Sequence, residues 1–458
     1  MRTMRFTSHF SASPLKARLL AVAVAGSFGS VAFSADLLSL YREAAAQDPA
    51  VASAKASLVA ARERVTQAQA ADGFSAGILA GANANYGDVH VRGVPAALGG
   101  QSDRGYLNGS VSAQVNKPLI RPANRVAVDQ SNAAATLAEI SLALAQQDVA
   151  TRLGQAYFDV LLAQDNVTLV RSQKAAVAEQ LAQAKRTFEV GTSTIVDTNE
   201  AQARFDQVLA QEIGAANELD RTRWALRNVV GRYETELKRL RTNGGVTAPN
   251  PANMEAWVTR AEREAYAVRL SQQTQAVNEF DVKRAQTGKD WTLDAIASVT
   301  HGQSTGSTGS SRGSWSTSGL IGVNFNLPFD ISGAVDARVR EASANVDKAR
   351  NDVEAARRTA GFNVRQSYLG VTSGAASVAA QEQALKSANT LLASTKLGLE
   401  VGVRTNLDVL NAQQQVTQVQ RDLAQARYNT LLNELRLKAA AGVLNEDDVK
   451  ATNAFLAD

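Results

Sequence analysis

Glu189-Val-Gly-Thr-Ser-Thr-Ile-Val-Asp-Thr-Asn-Glu-Ala-Gln202 and Glu400-Val-Gly-Val-Arg-Thr-Asn-Leu-Asp-Val-Leu-Asn-Ala-Gln413 are two versions of one segment. They lie 211 positions apart, Gly402 against Gly191, and the same offset carries Thr194 onto Thr405 and Asp197 onto Asp408. It also carries Gln155, Tyr157 and Val160 onto Gln366, Tyr368 and Val371, and Gly231 onto Gly442. A constant offset over so long a span marks a duplicated domain half rather than a short solenoid repeat. Each segment reads as a helix stop followed by a helix start. Glycine accepts the left-handed backbone that ends a helix, and threonine supplies the side-chain oxygen that caps the next one. The tip glycines Gly191 and Gly402 are therefore read as the reversal points of two helical hairpins.

Working outward, the residues flanking these turns suit long helices. Proline is absent from Ala123 to Ala248 and from Phe329 to Asp458, and both stretches are rich in good helix formers. Val160, Ala163, Val167, Val170, Val177, Leu181, Ala184 and Phe188 recur at spacings of three and four, with Lys174 interrupting, which predicts a seam for a neighbouring helix. A continuous helix from Ala123 to Phe188 would be about 100 Å long. Beyond the turns, Phe205, Leu209, Ile213, Ala216, Leu219, Leu226 and Val230 form one expected apolar stripe. Val416, Val419, Leu423 and Ala426 form the other. Residues 36–72 and 254–289 each supply a helix ahead of a strand pair.

The strand pairs are Phe74 to Tyr86 with Tyr106 to Asn116, and Trp291 to Thr300 with Trp315 to Leu327. In the last, Trp315, Thr317, Gly319, Ile321, Val323, Phe325 and Leu327 alternate with Ser316, Ser318, Leu320, Gly322, Asn324 and Asn326, a period of two with one mostly apolar face. Each strand approaches the roughly 9–11 residues that cross a bilayer. The pattern fits a barrel with lipid outside and water inside, and equally the half-buried strands of a soluble sheet. The connections Gly87 to Arg104 and His301 to Ser314 are polar and glycine-rich, as expected of loops facing the medium.

Arg2, Arg5, Lys16 and Arg18, the apolar run Leu19 to Val31, and the small residues Ala32, Ser34 and Ala35 read as an export signal over residues 1–34, cleaved near Ser34 or Ala35. Among the 458 residues, 48 are Lys or Arg and 44 Asp or Glu. The signal holds four of the basic residues and no acidic one, so the mature chain is formally neutral at 48 − 4 = 44 against 44. The overall charge of +4 is thus no sign of nucleic-acid binding. With no cysteine, thiol catalysis, disulfides and a lipidated N-terminus are excluded. His90 and His301 fall in the expected strand loops, and no nucleophile motif, phosphate loop or metal cluster is visible, so no enzyme site, cofactor or metal is expected. The parts fall into a first repeat over 35–245, a second over 246–442 and a short polar tail over 443–458.

With the repeat and turns in place, the chain resembles the TolC family of outer-membrane efflux proteins. The resemblance rests on Val401-Gly-Val-Arg-Thr-Asn-Leu-Asp-Val-Leu-Asn-Ala412, Ala424-Gln-Ala-Arg-Tyr-Asn429 and Ala441-Gly-Val-Leu-Asn-Glu-Asp-Asp448, and on the opening Asp36-Leu-Leu-Ser-Leu-Tyr-Arg-Glu-Ala with Asp48-Pro49 after it. It covers essentially the whole mature chain. It implies a mixed α and β membrane protein: a homotrimer whose protomers each give four strands to one twelve-stranded outer-membrane β-barrel, continued by a hollow periplasmic barrel of long helices with coiled-coil tips. The implied role is the exit duct of an efflux pump or type I secretion system. The implied partners are outer-membrane lipid, a periplasmic adaptor and an inner-membrane transporter of the ABC or RND type. Four strands cannot close a barrel alone, so an outer-membrane location demands several chains.

Carried over residue by residue, the resemblance makes Asp197 and Arg404 a link between neighbouring tips and Asp408 a member of an acidic ring. Asn411 stands where a second acidic ring is expected, and Leu399 where a tyrosine takes part in closure. Without the resemblance, Asp197, Asp408 and Arg404 read equally as capping or solvated charges. The competing classes are a non-channel periplasmic coiled-coil adaptor or surface stalk, and a soluble enzyme. Internal strand pairs in both halves disfavour the first, and the missing catalytic constellation disfavours the second.

Overall fold

The structure, a computed structural model, describes residues 35–90, 92–93, 101–234, 236–241, 249–307 and 312–456. The export signal over 1–34 and the repeat boundary at 245/246 lie outside the described residues. The elements run α1 (Leu37–Gln47), α2 (Pro49–Ala70), β1 (Ser75–His90), β2 (Gln101–Ile120), α3 (Pro122–Glu189) and α4 (Ile195–Val230). They continue with α5 (Met254–Glu264), α6 (Tyr266–Gln286), β3 (Thr292–Ser304), β4 (Ser314–Asn326), α7 (Ala334–Glu400), α8 (Asn406–Ala440) and α9 (Glu446–Asn453). Two helices, a strand hairpin and a long helical hairpin thus occur in the same order twice.

Each short opening segment is two helices where the sequence suggests one. Asp48 separates α1 from α2: its carboxylate accepts from the N–H groups of Ala50 at 2.8 Å and Val51 at 3.2 Å, so it caps the second helix, and Pro49 starts it. Ala265, at φ −55 and ψ 132, divides α5 from α6 without a side-chain cap.

The four strands form one antiparallel sheet in the order β1-β2-β3-β4. Its register separates two faces. Ile78 opposes Ala113, and Ala113 opposes Val299. Val115 opposes Ala297, which opposes Ile321. Together with Tyr86, Leu107, Trp315, Val323 and Phe325 these make an apolar face, and it is open: Ile321 is 91% exposed. On the other face Asn83, Asn108 and Ser304 align, as do Gln114 with Ser298 and Thr300 with Ser318. Strand alternation makes each face continuous across the sheet. Leu79, Tyr106, Ile296 and Leu320 interrupt the polar side with larger apolar or aromatic side chains.

β1, β2 and β3 are longer than the expected segments, β2 by most, while β4 keeps the expected length and is shifted by one residue. Pairing persists past Tyr86 through Gly87 to Arg104 and Asp88 to Asp103, because backbone hydrogen bonds need no apolar side chain. His301 consequently lies in β3, not in a loop, with Nδ1 2.9 Å from the Thr317 hydroxyl on β4. His90 ends β1, and its side chain lies outside the described residues.

Below the sheet, α3 runs 68 residues and α7 67 residues without a break, each about 100 Å long at 1.5 Å per residue. Arg121, at the start of α3, donates to Asp294 of β3 at 2.6 Å and ties helix to sheet. Midway along the helices sits the main core. Tyr157, Phe158 and Leu161 of α3 pack with Leu226 of α4 and with Tyr428, Leu432 and Leu435 of α8. The tail is not a loose polar end. It folds as α9, buries Val449, and bridges Leu456 to Leu240. An Asn445–Asp448 capping box starts this helix, and Val449 and Leu456 supply the apolar contact that a count of polar residues conceals.

Candidate functional site

The two helix reversals are built alike. Val190 N–H donates to Arg186 O and Val401 N–H to Leu397 O, both at 3.2 Å. Gly191 and Gly402 then turn left-handed at φ 78 and 79, a conformation that costs any other L-residue about 1–2 kcal/mol. Thr194 and Thr405 begin α4 and α8 with capping boxes: each hydroxyl accepts from the N–H three residues on, while Asp197 and Asp408 accept from the threonine N–H. The Thr194 N–H reaches Asp197 at 3.0 Å and the Thr405 N–H reaches Asp408 at 2.9 Å.

The two carboxylates are not equivalent. Asp197 also accepts from the Ser193 hydroxyl at 2.6 Å, and this bond does most to hold its pKa below the ordinary carboxylate value, followed by Thr194. Asp408 is held below that value chiefly by the Thr405 N–H and hydroxyl, with Arg404 adding a small favourable charge. Where the first turn places Ser193, the second places Arg404, whose stem lies over the last turn of α7. A Cβ on Gly398 would meet Arg404 Cγ at 2.7 Å, so only glycine leaves room for it there.

Within one protomer, then, Asp197 and Arg404 are not hydrogen-bonded to each other; Asp197 caps its own helix. The turns do come together around a groove of about 420 Å³ lined by Thr187, Ser193, Asp197, Leu399, Thr405 and Asn406, among others. Leu399 and Asp197 therefore face one space. Asn411 lies one turn beyond Asp408 and accepts from Arg204 of α4 at 3.1 Å. Arg204 is a residue that reading the sequence missed. Its one available signal was a basic side chain on the polar edge of α4, and nothing in spacing alone connects positions 207 residues apart.

The expected seam is largely in place. Val160, Ala163, Val167, Val170, Val177, Leu181 and Ala184 are buried, and Lys174 escapes through an ion pair with Glu212 at 2.8 Å. Phe188 is exposed near the turn. The expected stripe on α4 holds at Leu226 and Val230, which are buried, and at Phe205 and Leu219, which pack against buried clusters, but it fails in its middle. Ala201, Val208, Ala215 and Thr222, a strict heptad of small side chains, face the core, whereas Leu209 and Ile213 point outward. Small residues allow α4 to lie close against α3, and the larger ones are displaced to its flank. Val416, Val419 and Leu423 of α8 are buried as expected.

Among the described residues no group of histidine and carboxylate side chains could hold a metal ion, and no helix is long and apolar enough to cross a membrane.

Comparison with known proteins agrees with this architecture. The family model for outer membrane efflux proteins matches residues 40–232 and 262–443. The outer membrane protein TolC of Vibrio cholerae is 32% identical over 446 residues, covering 96% of this chain and 98% of its own. The alkaline protease secretion protein AprF of Pseudomonas aeruginosa is 32% identical over 310 residues, 67% of this chain and 64% of that protein. Among solved structures, the outer membrane protein VceC of Vibrio cholerae superposes with a TM-score of 0.72 at 20% identity, over 89% of this chain and 96% of its own.

Proposed function

We infer from one premise, that this chain belongs to the outer membrane efflux protein family, that it is the outer-membrane exit duct of an efflux or type I secretion system. The observation that carries the reading is the four-stranded sheet, apolar on one face and polar on the other, standing at one end of helices about 100 Å long. A sheet with both outer edges free cannot stand in a bilayer, where every unpaired backbone group costs several kcal/mol. Three copies of four strands make twelve, enough to close a barrel and remove the edges. The apolar face, with Ile321, Val323 and Phe325, would meet lipid, and the Asn, Ser and Gln face would meet water. The outward Leu209 and Ile213 of α4 would meet the next protomer's helices. The same element order in both halves supports a duplication over 35–245 and 246–442, with the 443–458 tail closing the waist, the mid-helix core around Tyr157, Phe158 and Tyr428.

At the far end, the tips would meet a periplasmic adaptor and an inner-membrane transporter. Arg404 of one protomer would reach the first-half turn of its neighbour, at Asp197, and Asp408 would stand in a ring of three. Both carboxylates are already satisfied by their own caps, so each link adds a charge-assisted bond without leaving a buried orphan when it breaks. That suits a gate. The wider similarity to both a TolC protein and a protease secretion protein supports either small molecules or polypeptides as cargo. A stalk or adaptor reading leaves the two-faced sheet without a use. The assembly is tested by native mass measurement of the detergent-solubilised protein: three chains are expected, and a stable monomer overturns the barrel.

A further inference from the structure

Two polar stripes run near the tip and touch at one point. On α4, Asp197, Glu200, Arg204, Gln207 and Gln211 recur at spacings of three and four, beside the buried heptad of Ala201 and Val208. On α8, Asp408, Asn411, Gln415, Gln418 and Asp422 do the same. The stripes meet where Arg204 donates one guanidinium N–H to Asn411 at 3.1 Å and another to Gln207 at 3.0 Å. Gln207, Gln211, Asn411 and Gln415 are exposed, so water lies beside the stripes, as unpaired polar groups require. Beside this contact and farther from the tip the helices are sealed by apolar contact: Leu410 of α8 belongs to the same buried cluster as Val177 and Val208. Arg204 lies nine residues into α4, about 14 Å from its start, and Asn411 about 8 Å into α8.

The chemistry at this point is unusual for a carboxylate-bearing mouth. Both hydrogen-bond partners of Arg204 are neutral amides. They hold the guanidinium in place without cancelling its charge, whereas elsewhere on the same hairpin Arg171 faces the carboxylate of Glu212 at 3.3 Å. Asp408, one helical turn away, is turned back onto the Thr405 N–H and hydroxyl.

We propose that Arg204 is a specificity-determining residue of the duct: fixed by Asn411 and Gln207, it sets a basic tier at the entrance that favours multivalent anionic groups and weakens cation binding at the Asp408 level. The proposal rests on the trimeric duct reading. Three copies would place three guanidinium groups around one axis, and like charges focused in a narrow aqueous mouth act strongly on passing ions. Cargo bearing exposed phosphate or carboxylate groups would be admitted there; polycationic cargo would be resisted.

The test is planar-bilayer recording of the full trimer in a KCl gradient, with hexaamminecobalt(III) added on the tip side. Arg204→Gln is expected to move the reversal potential toward potassium selectivity and to tighten cobalt-complex block about tenfold. Arg204→Lys, which keeps the charge and loses the planar fork, is expected to behave as the parent. Unchanged reversal potential and block in Arg204→Gln, with normal conductance steps, overturns the proposal and leaves the duct intact. Arg204→Lys behaving like Arg204→Gln overturns it too, since the effect then comes from the lost bond. No conductance from the parent or any variant removes the duct reading itself.

Discussion

Most of the individual side chains that matter here act by satisfying something close by. Asp165 shows how sharp that bookkeeping is. Burial raises its pKa, while the Tyr428 hydroxyl, donating at 2.7 Å, and the charge of Arg239 work against the rise. A carboxyl whose folded pKa is raised is costliest when ionised, so its burden is greatest at neutral pH and shrinks as pH falls through that pKa. Asp165→Asn should therefore match or exceed the parent in thermal midpoint at pH 7. Tyr428→Phe should lose about 1–3 kcal/mol, because the carboxylate keeps its desolvation and loses its donor. Melting both detergent-solubilised variants beside the parent checks this; a large loss in Asp165→Asn with none in Tyr428→Phe would show that the pair acts otherwise. Some of this was readable in advance. The capping boxes at Thr194 and Thr405 follow from threonine and aspartate three apart after a glycine. The Asp165–Tyr428 and Arg204–Asn411 contacts, 263 and 207 residues apart, do not follow from any local pattern.

Among the elements, α3 and α7 were the easiest to read, since length without proline and sustained spacing leave few alternatives. The middle of the α4 stripe, at Leu209 and Ile213, was misassigned for a physical reason. Ranking by side-chain size selects Leu209 and Ile213, but close approach of two helices selects Ala201, Val208 and Ala215. Strand ends were also too short in the reading, because alternation stops where the apolar layer stops and hydrogen bonding does not. The two faces of α4 separate two roles. Val208→Ala removes buried methyl groups and should lower the thermal midpoint, costing about 1–2 kcal/mol. Ile213→Ser, on the outward flank, should leave the protomer's helix content unchanged and reduce the yield of trimer. Circular dichroism with size-exclusion chromatography in detergent separates them, and loss of helix in Ile213→Ser with intact trimer in the remainder would contradict the assignment.

At the scale of the molecule, the duplicated order of helices and strands was legible from the 211-residue offset of a few polar and glycine residues. The waist was not: its core joins Ala35 to Leu237 and Leu456 to Leu240. No periodicity announces such a meeting of distant single residues. The proposed trimer stands or falls on being a conduit held shut at its tips. The direct measurement is single-channel recording of the purified protein in a planar bilayer, parent beside Asp197→Ala with Arg404→Ser and beside Asp408→Ala. The account predicts discrete steps from the parent, a higher resting conductance in the double tip variant at equal trimer yield, and weaker multivalent-cation block in Asp408→Ala. Bilayers that stay silent with the parent and with every tip variant would contradict it.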